Sequence, residues 1–321
     1  MKISFSPSIY EHAASLIGMT PWEVSRDMKL LCKTHHKAYE LYNHSPIVVG
    51  IDIYNLEAEA YGCVVQRPDG HGIPAITNGI FKSIDETMVI KPFNPNTDGR
   101  IRMVIDSGIQ LAKEFHDADV RIPVSGPFSI SASLMGFDNL LESIAFFPVQ
   151  VCDFLKRLVD GQVRMCQAIV DAGLDVAFFE SAAAPPLLSP KYFHDVELPA
   201  LKETMERVAE VIGHPVPCII GGNTEPILDD ILSTGTGFII CPAEADQGKF
   251  MQKFGERTDV KVRINMSPHI VANGSKDAII AEIDRILALA RRRPNILLGT
   301  GAVPYETPPE NILLIKEYVN Q

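Results

Sequence analysis

One stretch decides the fold: Val216-Pro217-Cys218-Ile219-Ile220-Gly221-Gly222-Asn223-Thr224-Glu225-Pro226. A short apolar run bounded by proline ends in two glycines, and the Asn-Thr-Glu-Pro that follows can cap and begin a helix. The pattern predicts a buried strand that turns sharply into a helix. In a parallel sheet this turn lies at the carboxyl end of the strand, where sheets and barrels of the α/β class bind ligands. A plain βα turn without chemistry is the alternative.

The same alternation of apolar strand and amphipathic helix recurs along the chain. Predicted strands cover residues 47–52, 120–125, 174–180, 238–241, 260–264 and 295–298, with helical patterns between them. Repeated strand-helix units predict a parallel sheet. The 321 residues are enough for a barrel of ~250 residues with an elaboration. We therefore predict one (β/α)8 TIM barrel over residues 46–321, after a helical extension over residues 1–45. A division into two domains is the alternative.

Two segments outside the strands have recognisable patterns. Thr20-Pro21-Trp22-Glu23 is a capping box with proline at the first helical position, so a helix is expected to begin there. His35 and His36 then fall on a helix and are expected on its solvated face. Residues 62–82 contain two proline-glycine turns and predict a hairpin near the barrel mouth that acts as a lid, with His71 at its tip.

Composition limits the classes of function. The 29 Lys and Arg against 40 Asp and Glu give a net charge of −11, which argues against nucleic acid and anionic membranes as partners. No apolar run reaches ~18 residues, and the N-terminus has no signal-peptide core, so a cytoplasmic protein is expected. The six cysteines form no Cys-x-x-Cys pair and are expected to be reduced core residues.

Polar residues at the predicted strand ends are the candidates for chemistry. They are mainly carboxylates and amides: Asp52, Glu57, Ser125, Glu180, Asn223, Glu225, Glu244, Asp246, Asn265, His269 and Tyr305. The chain has no Gly-x-Gly-x-x-Gly fingerprint, no P-loop and no Gly-x-Ser-x-Gly elbow. Such a set suits acid catalysis or a metal that prefers hard ligands.

Two glutamates are the candidates for a proton donor. Glu180 ends an apolar strand and is followed by small residues, 181–184, that leave room for a ligand. Burial at such a position raises a carboxyl pKa and keeps the group protonated. Glu57, just after the strand predicted at 47–52, is the second candidate. A capping or ion-pair role is the alternative for Glu180, and a surface position is the alternative for Glu57.

Several motifs in combination resemble the uroporphyrinogen decarboxylase superfamily. They are Gly126-Pro127-Phe128-Ser129 with Leu134-Met135-Gly136, the Gly-Asn-Thr at 222–224, Ile264-Asn265-Met266-Ser267-Pro268, and Gly299-x-Gly301-x-x-Pro304-x-x-Thr307-Pro308-x-Glu310-Asn311. The resemblance extends from about residue 45 to the C-terminus. It implies a (β/α)8 barrel with its active site at the carboxyl ends of the strands. The superfamily contains decarboxylases and methyltransferases that work with corrinoid proteins.

Departures from the family patterns separate these branches. The Arg-Gln-Ala-Gly-Arg segment of true decarboxylases is missing, and Arg121 and Arg263 are the arginines near predicted strand ends. The coenzyme M methyltransferases have a His-x-Cys and a further Cys as zinc ligands. Ile219, Gly221 and Ala302 stand at those positions here, so that soft-ligand zinc site is absent.

The remaining branch is the demethylating methyltransferase. The resemblance implies that the enzyme takes a methyl group from a small methoxylated substrate, an aromatic compound similar to veratrol or guaiacol. The methyl group would pass to cob(I)alamin on a partner corrinoid protein. Glu180 or Glu57 would donate the proton, and the side chains of Asn223, Asn265, His269 and Tyr305 would orient the ring.

Other outcomes stay open at this point. Aryl ether O-demethylases have a Glu-x14-Glu-x20-His metal pattern, and from it Glu225 and Asp246 are the candidate metal ligands, with zinc as one option. A decarboxylase, or a non-catalytic relative that binds a tetrapyrrole or another small ligand, is the alternative function. The oligomeric state is also open, with a homodimer among the options.

Overall fold

The computed structural model describes residues 3–180, 183–291 and 293–320. Residues 181 and 182 of the small stretch that follows Glu180 therefore lie outside the described residues. The strands are β1 Ser4–Ser8, β2 Ile47–Val48, β3 Val65–Gln66, β4 Ala75–Ile76, β5 Val120–Ser125, β6 Asp175–Phe179, β7 Cys218–Ile219, β8 Phe238–Cys241, β9 Lys261–Asn265 and β10 Ile296–Ala302.

The parallel strands form a (β/α)8 barrel, as the sequence predicts. In the described part of the chain they make two four-stranded sheets, β1-β10-β9-β8 and β2-β5-β6-β7. A parallel bridge between Pro217 and Phe238 joins β7 to β8. On the opposite side, the Ser6 hydroxyl donates to the Ser45 carbonyl at 3.0 Å, which brings β1 beside the start of β2.

Helices cover the outside of the strands. They are α1 Glu11–Ser15, α2 Pro21–Ser25, α3 Met28–Tyr42, α4 Leu56–Ala60, α5 Ile101–Glu114, α6 Pro127–Met135, α7 Phe137–Phe146, α8 Pro148–Asp171, α9 Pro190–Tyr192, α10 Leu198–Ile212, α11 Leu228–Leu232, α12 Gln247–Phe254, α13 Pro268–Asn273, α14 Lys276–Ala290 and α15 Pro309–Asn320. Within the described residues, no helix is both long and apolar enough to span a membrane.

The N-terminal segment differs from the predicted helical extension over residues 1–45. Ser4–Ser8 is the first barrel strand and pairs in parallel with β10, so this segment is part of the barrel. The predicted capping box is confirmed, because the Thr20 hydroxyl accepts from the Glu23 N–H and the Glu23 carboxyl accepts from the Thr20 N–H. The five-residue strand was missed because Pro7 interrupts an otherwise short and half-polar run.

The prediction for the two histidines was half wrong. His36 lies on the solvated face of α3 and pairs with Glu114. His35 is fully buried, and its Nε2 accepts a hydrogen bond from the Gly50 N–H at 3.0 Å. Burial lowers the pKa of His35 to about 4, so the ring is neutral and acts as an acceptor. Adjacent residues on a helix point about 100° apart, and the core side of α3 includes position 35.

The predicted hairpin is present, and its tip contacts a loop at the barrel mouth. β3 and β4 pair antiparallel, with Val65 opposite Ile76. The His71 ring stacks on the Tyr305 ring, with centroids 4.2 Å apart and planes 18° apart. Tyr305 lies in the loop after β10, so this contact places the hairpin tip next to the carboxyl end of the last strand.

Successive side chains of β6 point alternately into two separate apolar clusters. Val176 and Phe178 of β6 point outward into the large core between barrel and helices. Ala177 and Phe179 point inward and join a small cluster in the barrel interior with Tyr10. Because both faces of β6 are buried after its first residue, Asp175, the four residues that follow are all apolar.

Candidate functional site

Glu180 directly follows β6 and is fully buried. Its Oε1 accepts from the Ser129 N–H at 2.6 Å and from the Ser129 hydroxyl at 2.8 Å, in the first turn of α6. Its Oε2 has no hydrogen-bond partner among the described residues. Burial raises the pKa of Glu180 to about 8, and the Ser129 hydrogen bonds limit the rise. The carboxyl is therefore protonated at neutral pH.

The Glu180 carboxyl lies just beyond the end of β6, against the turn between β5 and α6. A Cβ atom on Gly126 would lie 1.3 Å from Glu180 Oε2, so this oxygen occupies the space that a side chain at position 126 would need. Glycine is required there for steric reasons, and its φ of −76° is one that any residue adopts.

Glu57 contacts the same turn from the other side. It lies in α4, is fully buried, and its Oε1 accepts from the Ser125 N–H at 2.6 Å. Its Oε2 also has no partner among the described residues. Burial raises the pKa of Glu57 to about 7, opposed by the Ser125 N–H bond. Position 57 is thus in the core, and the surface alternative does not apply.

A third buried acid, Glu197, was not predicted. It ends a π-helical turn, Phe193–Glu197, that joins α9 to α10. Both of its carboxyl oxygens lack a partner among the described residues. Burial raises the pKa of Glu197 well above its usual range, and the charge of Glu180 raises it further. Pro199 has no N–H to donate to the carbonyl of residue 195, so the regular α-helical hydrogen bond is missing there and a π-helical turn is favoured. This proline is the feature of the sequence that could have indicated the turn.

The barrel interior near the strand ends is lined by aromatic rings that the sequence analysis also missed. Tyr10 and Tyr54 each pack edge-on against Phe179, with ring centroids 6.0 Å apart. Burial raises the pKa of the Tyr10 hydroxyl to about 12. Tyr10 lies two residues beyond Ser8, and both residues line the cavity in the barrel interior.

Asp52 has a structural role. Its carboxylate forms a bidentate ion pair with Arg100, with Nη1 to Oδ1 at 2.8 Å, and the Arg100 Nε donates to Glu59 Oε2 at 2.6 Å. Arg26 binds the other Glu59 oxygen. Each guanidinium is matched by a carboxylate, which is how buried charges are accommodated.

The four predicted ring-orienting residues occupy different positions. The Asn265 side chain is buried, and its Oδ1 accepts from Arg263 Nε at 3.0 Å. The Asn223 N–H donates to the Pro185 carbonyl at 3.0 Å, while its buried Oδ1 has no partner among the described residues. The Tyr305 hydroxyl donates to the Met19 carbonyl at 3.1 Å. His269 is exposed in α13.

The two candidate metal ligands are not brought together with other ligands. Asp246 is exposed, caps α12 by accepting from the Lys249 N–H at 3.0 Å, and pairs with the Lys249 ammonium at 3.1 Å. Glu225 begins a short 3₁₀ turn, and its carbonyl accepts from Lys253 Nζ at 3.1 Å. Within the described residues, no group of three or more His, Cys, Asp or Glu side chains could hold a metal ion. Ile219, Gly221 and Ala302 offer no soft ligand.

Comparison with protein families gives one match over nearly the whole chain. The family model described as Uroporphyrinogen decarboxylase (URO-D) matches residues 6–321. A uroporphyrinogen decarboxylase from Pelodictyon phaeoclathratiforme is 24% identical over 327 aligned positions, which cover 92% of this chain and 87% of the relative. The chloroplastic uroporphyrinogen decarboxylase 2 of Arabidopsis thaliana is 27% identical, covering 59% of this chain and 48% of the relative.

Comparison with solved structures supports the fold. A methyltransferase from Methanosarcina mazei superposes with a TM-score of 0.85 at 20% identity, covering 99% of this chain and 94% of the other. A putative vitamin-B12 independent methionine synthase from Listeria monocytogenes gives a TM-score of 0.56 at 12% identity, covering 100% of this chain and 97% of the other. At these identities the likeness is one of fold.

Proposed function

Because the chain belongs to the uroporphyrinogen decarboxylase family, we propose that it is an enzyme of that family's methyltransferase branch. The proposed reaction removes the methyl group from a small methoxylated aromatic substrate and passes it to cob(I)alamin on a partner corrinoid protein. The fold likeness to a methyltransferase over 99% of the chain supports this choice of branch.

The observation that carries the proposal is the buried carboxyl of Glu180 just after β6, whose Oε2 has no hydrogen-bond partner among the described residues. Cleavage of a methyl aryl ether leaves a phenolate, which is a poor leaving group unless a proton or a Lewis acid neutralises its oxygen. Burial raises the pKa of Glu180 to about 8, which favours the protonated form at neutral pH, and Oε2 makes no hydrogen bond among the described residues. In our proposal this oxygen delivers the proton to the ether oxygen as the C–O bond breaks. Glu57 is the second candidate for the same role.

The proposed substrate class follows from the rings in the barrel interior. Tyr10, Tyr54 and Phe179 present ring edges and faces to the space inside the barrel, and aromatic pairs of this kind favour a further flat ring. Asn265 and Asn223 supply amides near the same strand ends and are proposed to orient ring substituents, with Tyr305 and His269 further out.

The corrinoid, when bound on its partner, supplies the nucleophile that accepts the methyl group. The residues of this chain bind and orient the substrate and hold the proton. Exposed apolar side chains suit contact with a partner protein, since large apolar groups at a surface mark interaction sites. Val64 in the hairpin segment, Met88 and Val89 just after it, and Phe146 at the end of α7 are at least 62% exposed. We propose that the partner docks against the hairpin segment and the residues just after it, where Val64, Met88 and Val89 are exposed.

The described residues do not fit the soft-ligand zinc site, and no step in the proposal passes through a metal. Where a metal is bound, Glu225 and Asp246 remain the proposed hard ligands. Elemental analysis of the wild type and of the double variant Glu225→Ala with Asp246→Ala tests this assignment. Stoichiometric zinc in both proteins would overturn it.

Decarboxylation is the second candidate, because the curated relatives are uroporphyrinogen decarboxylases. An anionic tetrapyrrole needs arginines that are free to bind its carboxylates. Arg100 and Arg26, beside the end of β2, are paired with Asp52 and Glu59. Arg121, at the opposite end of β5, is paired with Asp119 and Asp175. Arg263 has no carboxylate partner among the described residues, but one guanidinium is not the cluster of arginines that a substrate with several carboxylates needs. The arginine set therefore favours the methyltransferase reaction.

The test is a methyl-transfer assay with the intact protein. It is mixed with cob(I)alamin-loaded partner and a panel of methoxyarenes, with the matching phenols as controls that lack the methyl group. Formation of the methyl-Co(III) spectrum with a methoxyarene and not with its phenol is the expected result. No spectral change across the panel, together with CO2 release from uroporphyrinogen, would replace the proposal by the decarboxylase.

A further inference from the structure

Arg263 is a buried cation that has no carboxylate partner in the described part of the chain. It lies in β9, with its side chain inside the barrel and 5% of the residue exposed. Among the described residues, its guanidinium makes one hydrogen bond, from Nε to Asn265 Oδ1, and forms no ion pair. The Phe238 ring has its centroid 6.0 Å from the guanidinium carbon. The two Nη groups, which carry most of the donors, are left for another acceptor.

Such a charge is costly unless something compensates it. Buried arginines are normally matched by a carboxylate or phosphate, because taking an unpaired cation out of water costs several kcal/mol. The other barrel-side arginine, Arg121, follows this rule and pairs with Asp119 and Asp175. Arg263 has no such partner among the described residues. We therefore expect its partner to be a bound ligand.

A cavity of about 190 Å³ lies beside this guanidinium inside the barrel. Barrel interiors are usually filled by layers of bulky side chains. Here the residues at several inward positions are small, among them Ser6, Ser8 and Ala177. The cavity is larger than the ~150 Å³ cavity that binds benzene in an engineered protein. Its volume therefore accommodates a ligand of about the size of one substituted aromatic ring.

The cavity lining combines a cationic end with an apolar body. Arg263 supplies a buried charge, while Val48, Ile219 and Leu297 supply aliphatic surface, and Tyr10 also lines the cavity. The lining includes three more charged residues, Lys261, Arg121 and Asp119, of which the last two pair with each other. A guanidinium binds a carboxylate through two parallel N–H···O bonds in one plane. A flat apolar group attached to that carboxylate would fill the remaining space.

We infer that the barrel interior is a binding site for a small aromatic carboxylate, held by the Arg263 guanidinium. The inference concerns binding alone and does not depend on methyl transfer.

Isothermal titration calorimetry with the full chain tests the site, with benzoate as the probe and benzamide and inorganic phosphate as comparisons. Benzoate is expected to bind at one site, and benzamide, which has the same shape without the charge, at least about tenfold more weakly. Equal binding of benzoate and benzamide, binding of phosphate in place of benzoate, or no binding of benzoate would each overturn the inference.

Variants assign the binding to the guanidinium. Arg263→Gln should weaken benzoate about 10- to 100-fold, and Arg263→Lys should weaken it less because the charge remains. Arg257→Gln is the matched control, since Arg257 is exposed and pairs with Asp259 away from the cavity. If Arg263→Gln does not fold, Arg263→Lys becomes the test. An affinity of Arg263→Lys for benzoate equal to that of the wild type would contradict a carboxylate held by two guanidinium hydrogen bonds.

Discussion

Glu57 and Glu180 bind the two ends of one turn: Glu57 Oε1 accepts from the Ser125 N–H and Glu180 Oε1 accepts from the Ser129 N–H, both at 2.6 Å. The turn joins β5 to α6, and each carboxyl keeps its second oxygen free of partners among the described residues. Two acids thus stabilise a strand-to-helix turn and at the same time hold protons beside it. The predictions below separate the structural role from the chemical one.

The first prediction concerns stability against pH. The native state keeps protons on Glu57 and Glu180 up to pKa values of about 7 and about 8, whereas the unfolded chain loses them near 4.5. Between these values the native state binds more protons, so the free energy of unfolding falls as pH rises from about 5 to 8. The slope is at most about 1.4 kcal/mol per pH unit for each group.

Urea unfolding of the wild type and of Glu180→Gln at pH 5, 6, 7 and 8 measures this slope. Buried neutral histidines such as His12 and His35 act in the opposite direction at the acid end, because burial lowers their pKa to about 4. The informative quantity is therefore the difference between the two proteins. The free energy of unfolding of the wild type minus that of Glu180→Gln should fall as pH rises. A value that is constant from pH 5 to 8 would mean that Glu180 is ionised throughout.

The second prediction concerns Gly126. In Gly126→Ala the new methyl group would lie 1.3 Å from Glu180 Oε2, so the carboxyl or the turn must move. We expect a loss of at least about 1–3 kcal/mol in the free energy of unfolding.

Gly221→Ala is the control for this substitution, since a Cβ there meets nothing within 4 Å. Adding Glu180→Ala to Gly126→Ala should recover part of the lost stability relative to the sum of the single variants. Strict additivity of the two substitutions would show that the contact is not the cause.

The third prediction concerns Asp246. Asp246→Ala removes the N-cap of α12 and should cost about 0.5–2 kcal/mol in the free energy of unfolding. Lys249→Ala removes the exposed ion pair and keeps the cap, so it should cost less than about 1 kcal/mol. Equal losses in the two variants, measured by thermal denaturation, would assign the effect of Asp246 to the ion pair.

The strand-helix alternation predicted the barrel, because turn residues and apolar runs are local signals. The pairing of Ser4–Ser8 with β10 is not local, and its five residues have no alternation strong enough to predict a strand. Glu180 was placed correctly at a strand end. Its direction was not predictable, since residues on both faces of β6 are apolar and alternation gives no inside or outside there.

The remaining misses have similar causes. Glu197 enters the core through a π turn, which shifts the helical periodicity by one residue. Tyr10 was missed because the strand before it, β1, was not predicted, and Tyr54 because β2 ends at Val48 and not at the predicted residue 52. Asp246 has the spacing of a metal ligand and the local geometry of a helix cap, and spacing alone cannot separate the two.

The most direct test of the proposal is the methyl-transfer rate of Glu180→Gln across substrates with different leaving groups. The amide keeps the size of the side chain and an oxygen that can accept from Ser129, so the barrel should remain folded. General acid catalysis contributes roughly 10²–10⁴-fold, so transfer from methoxyarenes with poorly leaving phenolates should slow by about that factor. Substrates whose phenolates leave easily should lose much less. A wild-type rate, or one uniform loss for good and poor leaving groups, would contradict the role of Glu180 as the proton donor.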